Sequence, residues 1–304
     1  MPCVTDIREV NAEQIELLIE CSIQAYNAFS GNAPSHCHAK RVTPPEGYEL
    51  VDDWSGVDAV FGRHKKVETY GLVFRSLAAP WRYIFAFRGT DSALDMLDDC
   101  GLEPQSFVPF DTTRKLAADL RVESGFYDIY KCGDAATVPM QHQLFALIDK
   151  YQASTRPIAE ILVTGHSLGA ALSQIFTLDL ALSRQPIPGI NINFASPRVG
   201  NSGFVTLFQQ VVNQPTLRVE NGYDAVPRLP PAELGFEHIP SVYRVAFYSN
   251  DMFGKIDLMA CHSSINYRAV INCAGASQEG VCIAERLPVD GTASICSEQP
   301  HIEG

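Results

Sequence analysis

The chain predicts an α/β fold: a mainly parallel sheet covered by helices on both faces, entered through an antiparallel pair of strands. Three observations carry this. From about residue 138 onward, strand-like and helical periodicities alternate. Before that point two strand-like runs, VETYGLVFRS (67–76) and WRYIFAFRG (81–89), are separated only by a short turn. With 46% hydrophobic and 19% charged residues, a chain of 304 residues can also bury the large core that a covered sheet requires.

The elements follow in order. Residues 11–29 place Ile15, Leu18, Ile19, Ile23 and Tyr26 at helical spacing behind Asn11, a suitable N-cap, which predicts an amphipathic helix packed on the core. A Pro/Gly-rich connection at 31–47 leads into the two strand-like runs. Helical periodicity at 138–151 precedes the apolar strand IAEILVTG (158–165), and a helix spans about 168–184. The strand INFAS (192–196), a short helix near 200–212 and the strands TLRVEN (216–221) and VYRVAFY (242–248) complete the pattern. No internal repeat or linker divides it, so one domain over residues 1–304 is expected.

Charge and cysteine usage exclude several function classes. The chain holds 23 Lys+Arg against 35 Asp+Glu, a formal charge of −12, which repels phosphate backbones and argues against nucleic acid as a partner. The short basic stretches HKK (64–66) and KR (40–41) read as solvated surface. No apolar run is long enough for a transmembrane segment. The nine cysteines are scattered and form no CxxC, so zinc and thioredoxin-like readings fail; His36-Cys37-His38 sit consecutively in a loop, without a distant partner pair to complete a metal site. Cys273, Cys282 and Cys296 fall in a Gly/Ser-rich tail that disulfides would staple if the protein is exported. The opening MPCVTDIREVNAEQ has neither the basic start nor the apolar stretch of a secretory signal, and there is no Asn-x-Ser/Thr sequon, so the compartment stays open.

The chemistry concentrates in VTGHSLGAAL (163–172). Gly165-His166-Ser167-Leu168-Gly169 has the G-x-S-x-G form, with a β-branched strand before it and an Ala/Leu-rich helix after it. A sharp strand-to-helix turn sets the serine at a helix N-terminus, where backbone N–H groups favour developing negative charge, and side chains at the flanking glycine positions would collide with backbone. Ser167 is therefore a candidate nucleophile, whereas His166, diverging from it in the turn, reads as a packed, hydrogen-bonded residue.

A serine hydroxyl needs a base and an orienting acid, and on this architecture they follow in the chain order Ser, Asp/Glu, His. Of the downstream aspartates, Asp179 falls on the helix after the turn, Asp251, Asp257 and Asp290 come after the next strand, and Asp224 directly follows TLRVEN, where ligands collect at the carboxyl edge of an open sheet. His238, His262 and His301 lie beyond it; position favours His262, in the loop after VYRVAFY, over His238 before that strand and over the terminal His301.

The blocks YIFAFRGTDS, VTGHSLGAAL, FASPRVGN, VENGYDAVPRLPP and CHSSINY, in this order, resemble the class 3 lipase family, the fungal lipase and feruloyl esterase type of α/β-hydrolase. The likeness spans roughly residues 67–270 and leaves the N-terminal helix and the C-terminal tail as extensions. It implies Ser167, Asp224 and His262 as the triad, and an oxyanion hole made from the N–H of Leu168 and, in FRGTDS, the N–H and hydroxyl of Thr90, with Arg88 as a structural ion-pair partner. In lipases of this family the position of SALDMLDDCG (92–101) is a lid; here the segment is short, acidic and amphipathic, and a surface helix that does not move is the alternative. No metal or organic cofactor is implied. The activity expected is ester hydrolysis through an acyl-enzyme, first on triacylglycerol at an oil–water interface. Alternatives are a short-chain or feruloyl ester as substrate, acyl transfer on the same triad, or a non-catalytic binding protein. Family likeness implies secretion if a signal was trimmed.

Overall fold

The computed structural model describes residues 12–29, 42–58, 66–90, 103–111, 115–133, 137–184, 187, 189–248, 253, 255–275, 294–295 and 301–303. Eight strands form the central sheet, in the order given by β1 (Tyr48–Asp58), β2 (Lys66–Ser76), β3 (Arg82–Phe87), β4 (Glu160–Gly165), β5 (Gly189–Phe194), β6 (Thr216–Asn221), β7 (Val242–Val245) and β8 (His301–Glu303). β1, β2 and β3 pair antiparallel, β3 through β7 pair parallel, and β8 closes the far edge antiparallel. The expected mainly parallel sheet with an antiparallel entry is thus the observed one.

Seven helices are α1 (Ala12–Ala28), α2 (Ser124–Lys131), α3 (Met140–Gln152), α4 (Leu168–Ser183), α5 (Ser202–Val211), α6 (Leu258–His262) and α7 (Ser264–Gly275) among the described residues. They divide between the two faces because strand side chains alternate. On β3, Phe85 and Phe87 point into one core with Ile161 and Val163 of β4 and Leu172, Ile175 and Phe176 of α4. Ile84 and Ala86 point into the other, with Leu18, Ile19 and Ile23 of α1 and Tyr267, Val270 and Ile271 of α7. Full burial of a Phe, Ile or Leu contributes about 1.5–3 kcal/mol, so both faces anchor the sheet. A second, four-stranded sheet built from residues 104–106, 121–123, 200–201 and 236–237 flanks this body.

Register positions the site. Phe87 pairs with Gly165, His166 bridges Phe194, Phe194 pairs with Val219, and Asn221 pairs with Val245. The carboxyl ends of β3, β4, β5, β6 and β7 therefore leave the sheet along one edge, where an open α/β sheet collects its ligand groups.

Several elements differ from the sequence expectation: α2 and the second sheet were not anticipated, and His262, expected in a loop, ends the short helix α6. β1 was not anticipated: YELVDDWSGVD mixes acids and glycine into the pattern, and the strand carries register shifts at Leu50/Asp52 and Trp54/Ser55 that interrupt simple alternation. The run expected at 242–248 breaks at Ala246 into 242–245 and 247–248. Residues 264–275, read only as the end of a motif block, form α7.

Candidate active site

β4 stops at Gly165 and α4 starts at Leu168, leaving two residues for the reversal. Ser167 takes φ 60° and ψ −128°, a region that non-glycine residues rarely enter and that costs roughly 1–3 kcal/mol. The surroundings hold it there: its N–H donates to the Phe194 carbonyl at 3.0 Å, and its own carbonyl accepts from Ala170 at 2.9 Å in the first turn of α4. A Cβ on Gly165 would strike the Gly169 carbonyl, and one on Gly169 would strike the Phe87 carbonyl and the Arg88 backbone. Both glycines are required by close backbone approach, as their place in the motif predicted. Ser167 makes no capping bond to α4, so its side chain is not spent on the helix end.

Asp224 follows β6 in a turn and is almost fully buried. Its Oδ1 accepts from the Val226 N–H at 2.9 Å; its Oδ2 accepts from His262 Nδ1 at 2.8 Å and from the Tyr267 hydroxyl at 2.9 Å. His262 ends α6, whose N-cap Asp257 accepts from the backbone of Met259 and Ala260. The Nδ1 bond to a carboxylate fixes the tautomer that leaves Nε2 as the lone-pair nitrogen, and that buried Nε2 has no hydrogen-bond partner among the described residues. The His262 ring packs at 4.6 Å, centroid to centroid and tilted by 42°, against His166, the residue next to Ser167.

Residues from β3 complete the edge. Gly89 runs against the serine turn, where a Cβ would strike the His166 carbonyl and the Tyr26 hydroxyl. With Gly169 against Phe87 and Arg88, this sets Leu168 and Thr90 on adjoining stretches of backbone. Arg88 is buried in an ion pair with Glu68 at 3.0 Å and stacks on the Phe29 ring at 3.8 Å, the structural role expected of it.

The structure thus brings Asp224 and His262 into contact and sets His262 against the turn that carries Ser167. It keeps His238 apart: that Nε2 bonds the Pro227 carbonyl at 2.7 Å, and burial beside Arg218 pushes its pKa down to about 2. Segment 92–101, His36-Cys37-His38, Asp251, Asp290 and the side chain of His301 lie outside the described residues. Of the tail cysteines, Cys273 is disulfide-bonded.

Two side chains escaped the sequence reading. Tyr267 on α7 donates to Asp224 and accepts from the Asn221 N–H at 2.7 Å; burial, and next the Asp224 carboxylate, push its phenol well above the ordinary range. Asn221 donates to the carbonyls of Phe247 and Cys261, both at 2.9 Å, and accepts from the Phe247 N–H at 3.0 Å. Its amide joins the segment bearing Asp224 to the segment bearing His262. Both residues stand inside the quoted motif blocks, but no spacing rule marks them; only the folded contact does.

A family model described as Lipase (class 3) matches residues 84–234, the stretch from β3 through the serine turn and Asp224. The chain belongs to the class 3 lipase family. Among curated relatives of this chain, the lipase of Rhizomucor miehei is 29% identical over 212 residues, 68% of this chain and 50% of that one. Phospholipase A1-II 4 of Oryza sativa subsp. japonica is 31% identical over 51% of this chain and 42% of its own. A secreted mono- and diacylglycerol lipase of Malassezia globosa is 30% identical over 55% and 52%. The match therefore spans about half the length of these relatives. Among solved structures, Yarrowia lipolytica LIP2 lipase superposes with a TM-score of 0.59 at 19% identity, over 90% of this chain and 97% of that one. A triacylglycerol lipase described as having a serine protease triad at its catalytic centre superposes with a TM-score of 0.54 at 22% identity, again over 90% and 97%. These are α/β-hydrolase folds, which is the fold of this chain.

Proposed function

We propose that this class 3 lipase hydrolyses carboxylic esters of lipids through an acyl-enzyme on Ser167, with His262 as base, Asp224 as orienting acid, and Thr90 and Leu168 as oxyanion donors. One observation carries the reading: a buried Asp224–His262 pair at 2.8 Å packs against the turn in which two glycines hold a serine at positive φ. His262 Nε2 takes the Ser167 hydroxyl proton as Oγ bonds the ester carbonyl carbon. The oxyanion so formed accepts hydrogen bonds from the Leu168 N–H and from Thr90, donors that need no reorganisation during the reaction. The imidazolium then gives its proton to the alkoxy oxygen, the C–O bond breaks, and the alcohol leaves. Water repeats the cycle: its proton passes to Nε2, the acyl–Oγ bond breaks, and acid and free serine are released. Asp224 stabilises the imidazolium in both halves. None of these steps calls on a cofactor.

The substrate preferred by this reading is a triacylglycerol at an oil–water interface. A p-nitrophenyl ester series from short to long acyl chains, run beside emulsified triglyceride, tests it. A long-chain optimum with triglyceride turnover, reduced about 10⁶-fold in kcat by Ser167→Ala, is the expected result. A short-chain optimum without triglyceride turnover would make the enzyme an esterase, an added alcohol outcompeting water would make it an acyltransferase, and activity surviving Ser167→Ala would end the triad assignment.

A further inference from the structure

α1 lies outside the family match, and the residue before the serine reads as a packed, hydrogen-bonded side chain; the two meet beside the imidazole of His262. His166 is almost fully buried between β4 and α4. Its Nδ1 hydrogen-bonds the Tyr26 hydroxyl at 3.0 Å, and the Tyr26 ring packs edge-on to it at 5.9 Å. Its other neighbours are the His262 ring, at 4.6 Å and inclined by 42°, and the edge of Tyr267 at 5.7 Å. Tyr26 is held in turn: its hydroxyl fills the space that a Cβ on Gly89 would occupy, between the end of β3 and the serine turn.

We propose that His166, set by Tyr26, is a positioning residue for His262. The claim rests on the reading of Ser167, Asp224 and His262 given above. A single hydrogen bond at Nδ1 fixes one atom of an imidazole and leaves the ring free to swing about it. A ring packed against it, even at a 42° tilt, removes that freedom, and Nε2 lies on the far side of the ring from the bond. Base and nucleophile lose rate steeply with misplacement, about 10²-fold for 1 Å. The packing partner must also be uncharged, because His262 becomes a cation in each half-reaction. Burial first, and the neighbouring His262 second, pull the His166 pKa well below the ordinary range, which keeps the ring neutral.

Three variants test this: His166→Leu, His166→Phe and Tyr26→Phe. Each is read by kcat and KM on a soluble p-nitrophenyl ester, and by the downfield proton resonance of the His262 Nδ1–H bonded to Asp224, assigned by its loss in His262→Gln. His166→Leu is expected to lower kcat by about tenfold, with KM within about twofold, and to broaden the resonance; His166→Phe, which keeps a ring there, restores most of both. Tyr26→Phe gives about a threefold loss in kcat through a looser His166. Wild-type kcat and an undisturbed resonance in His166→Leu would overturn the proposal, as would a His166→Phe variant impaired as deeply as the leucine. If His166→Leu does not fold, His166→Phe and Tyr26→Phe decide by the same resonance. If the wild type hydrolyses no ester, the proposed function fails on its own, and the resonance still reports whether His166 holds His262.

Discussion

Asp179 and Asp224 are both buried aspartates with every oxygen satisfied, one within α4 and one after β6. Asp179 accepts from the Phe110 N–H at 2.7 Å, the Tyr130 hydroxyl at 2.9 Å, the Gln141 amide at 2.6 Å and the Ser183 hydroxyl at 3.0 Å. Its donors are all neutral and fixed. Asp224 accepts from a backbone N–H, a tyrosine hydroxyl and an imidazole, and the imidazole can take up a proton. Burial and saturation are thus common to both, and the character of one donor separates them. The first carboxylate ties α4 to α2, α3 and the segment at 110; the second, on the proposed mechanism, faces the charge that forms on His262.

The contrast is broken or sharpened by removing each charge in turn. Asp224→Asn keeps the shape but favours the wrong imidazole tautomer, so kcat should drop about 10⁴-fold with the fold intact by circular dichroism. A loss under tenfold would put Asp224 in the same class as Asp179. Tyr267→Phe removes one donor from Asp224 and should lower kcat by about tenfold with KM little changed, since a bond to a charged group contributes about 1.5 kcal/mol. Asp179→Asn sets an amide NH₂ against donors; urea unfolding should show about 2 kcal/mol of lost stability, with activity per folded molecule unchanged.

The smallest effect concerns Glu123, which caps α2 through the N–H groups of Gly125 and Phe126 while burial raises its pKa from 4.5 to about 7. The folded state holds that proton more tightly than the unfolded chain does, so Glu123's contribution to stability is full below pH 4.5 and is lost as pH rises through about 7. Glu123→Gln should flatten this decline in thermal midpoint; an unchanged slope would remove Glu123 as its source.

The serine turn was legible because local sterics write it into the sequence: Gly165 and Gly169 have no tolerable substitute, and a β-branched strand and an Ala/Leu helix flank them. That Asp224 and His262 meet was expected from chain order, the position of strand ends and the family resemblance, and the structure brings them into contact. What was not legible depends on contacts across the sheet. Tyr267 and Asn221 act through partners up to 46 residues away in sequence, and β1 hides behind bulges that spoil its alternation. Tyr26 was expected as a core position of α1; it is half-buried at the edge of that core, packed edge-on to His166. That its hydroxyl ends on His166, 140 residues on, follows only from how α1 crosses the end of β4.

The central claim, that Asp224 and His262 activate Ser167, is tested most directly by a fluorophosphonate, which reacts with an activated serine and needs no particular substrate. Peptide mass spectrometry of the treated protein should place the adduct on Ser167 in the wild type, with labelling slowed by orders of magnitude in Asp224→Asn. An adduct on another residue, or labelling of Ser167 at the wild-type rate in Asp224→Asn, would contradict the account.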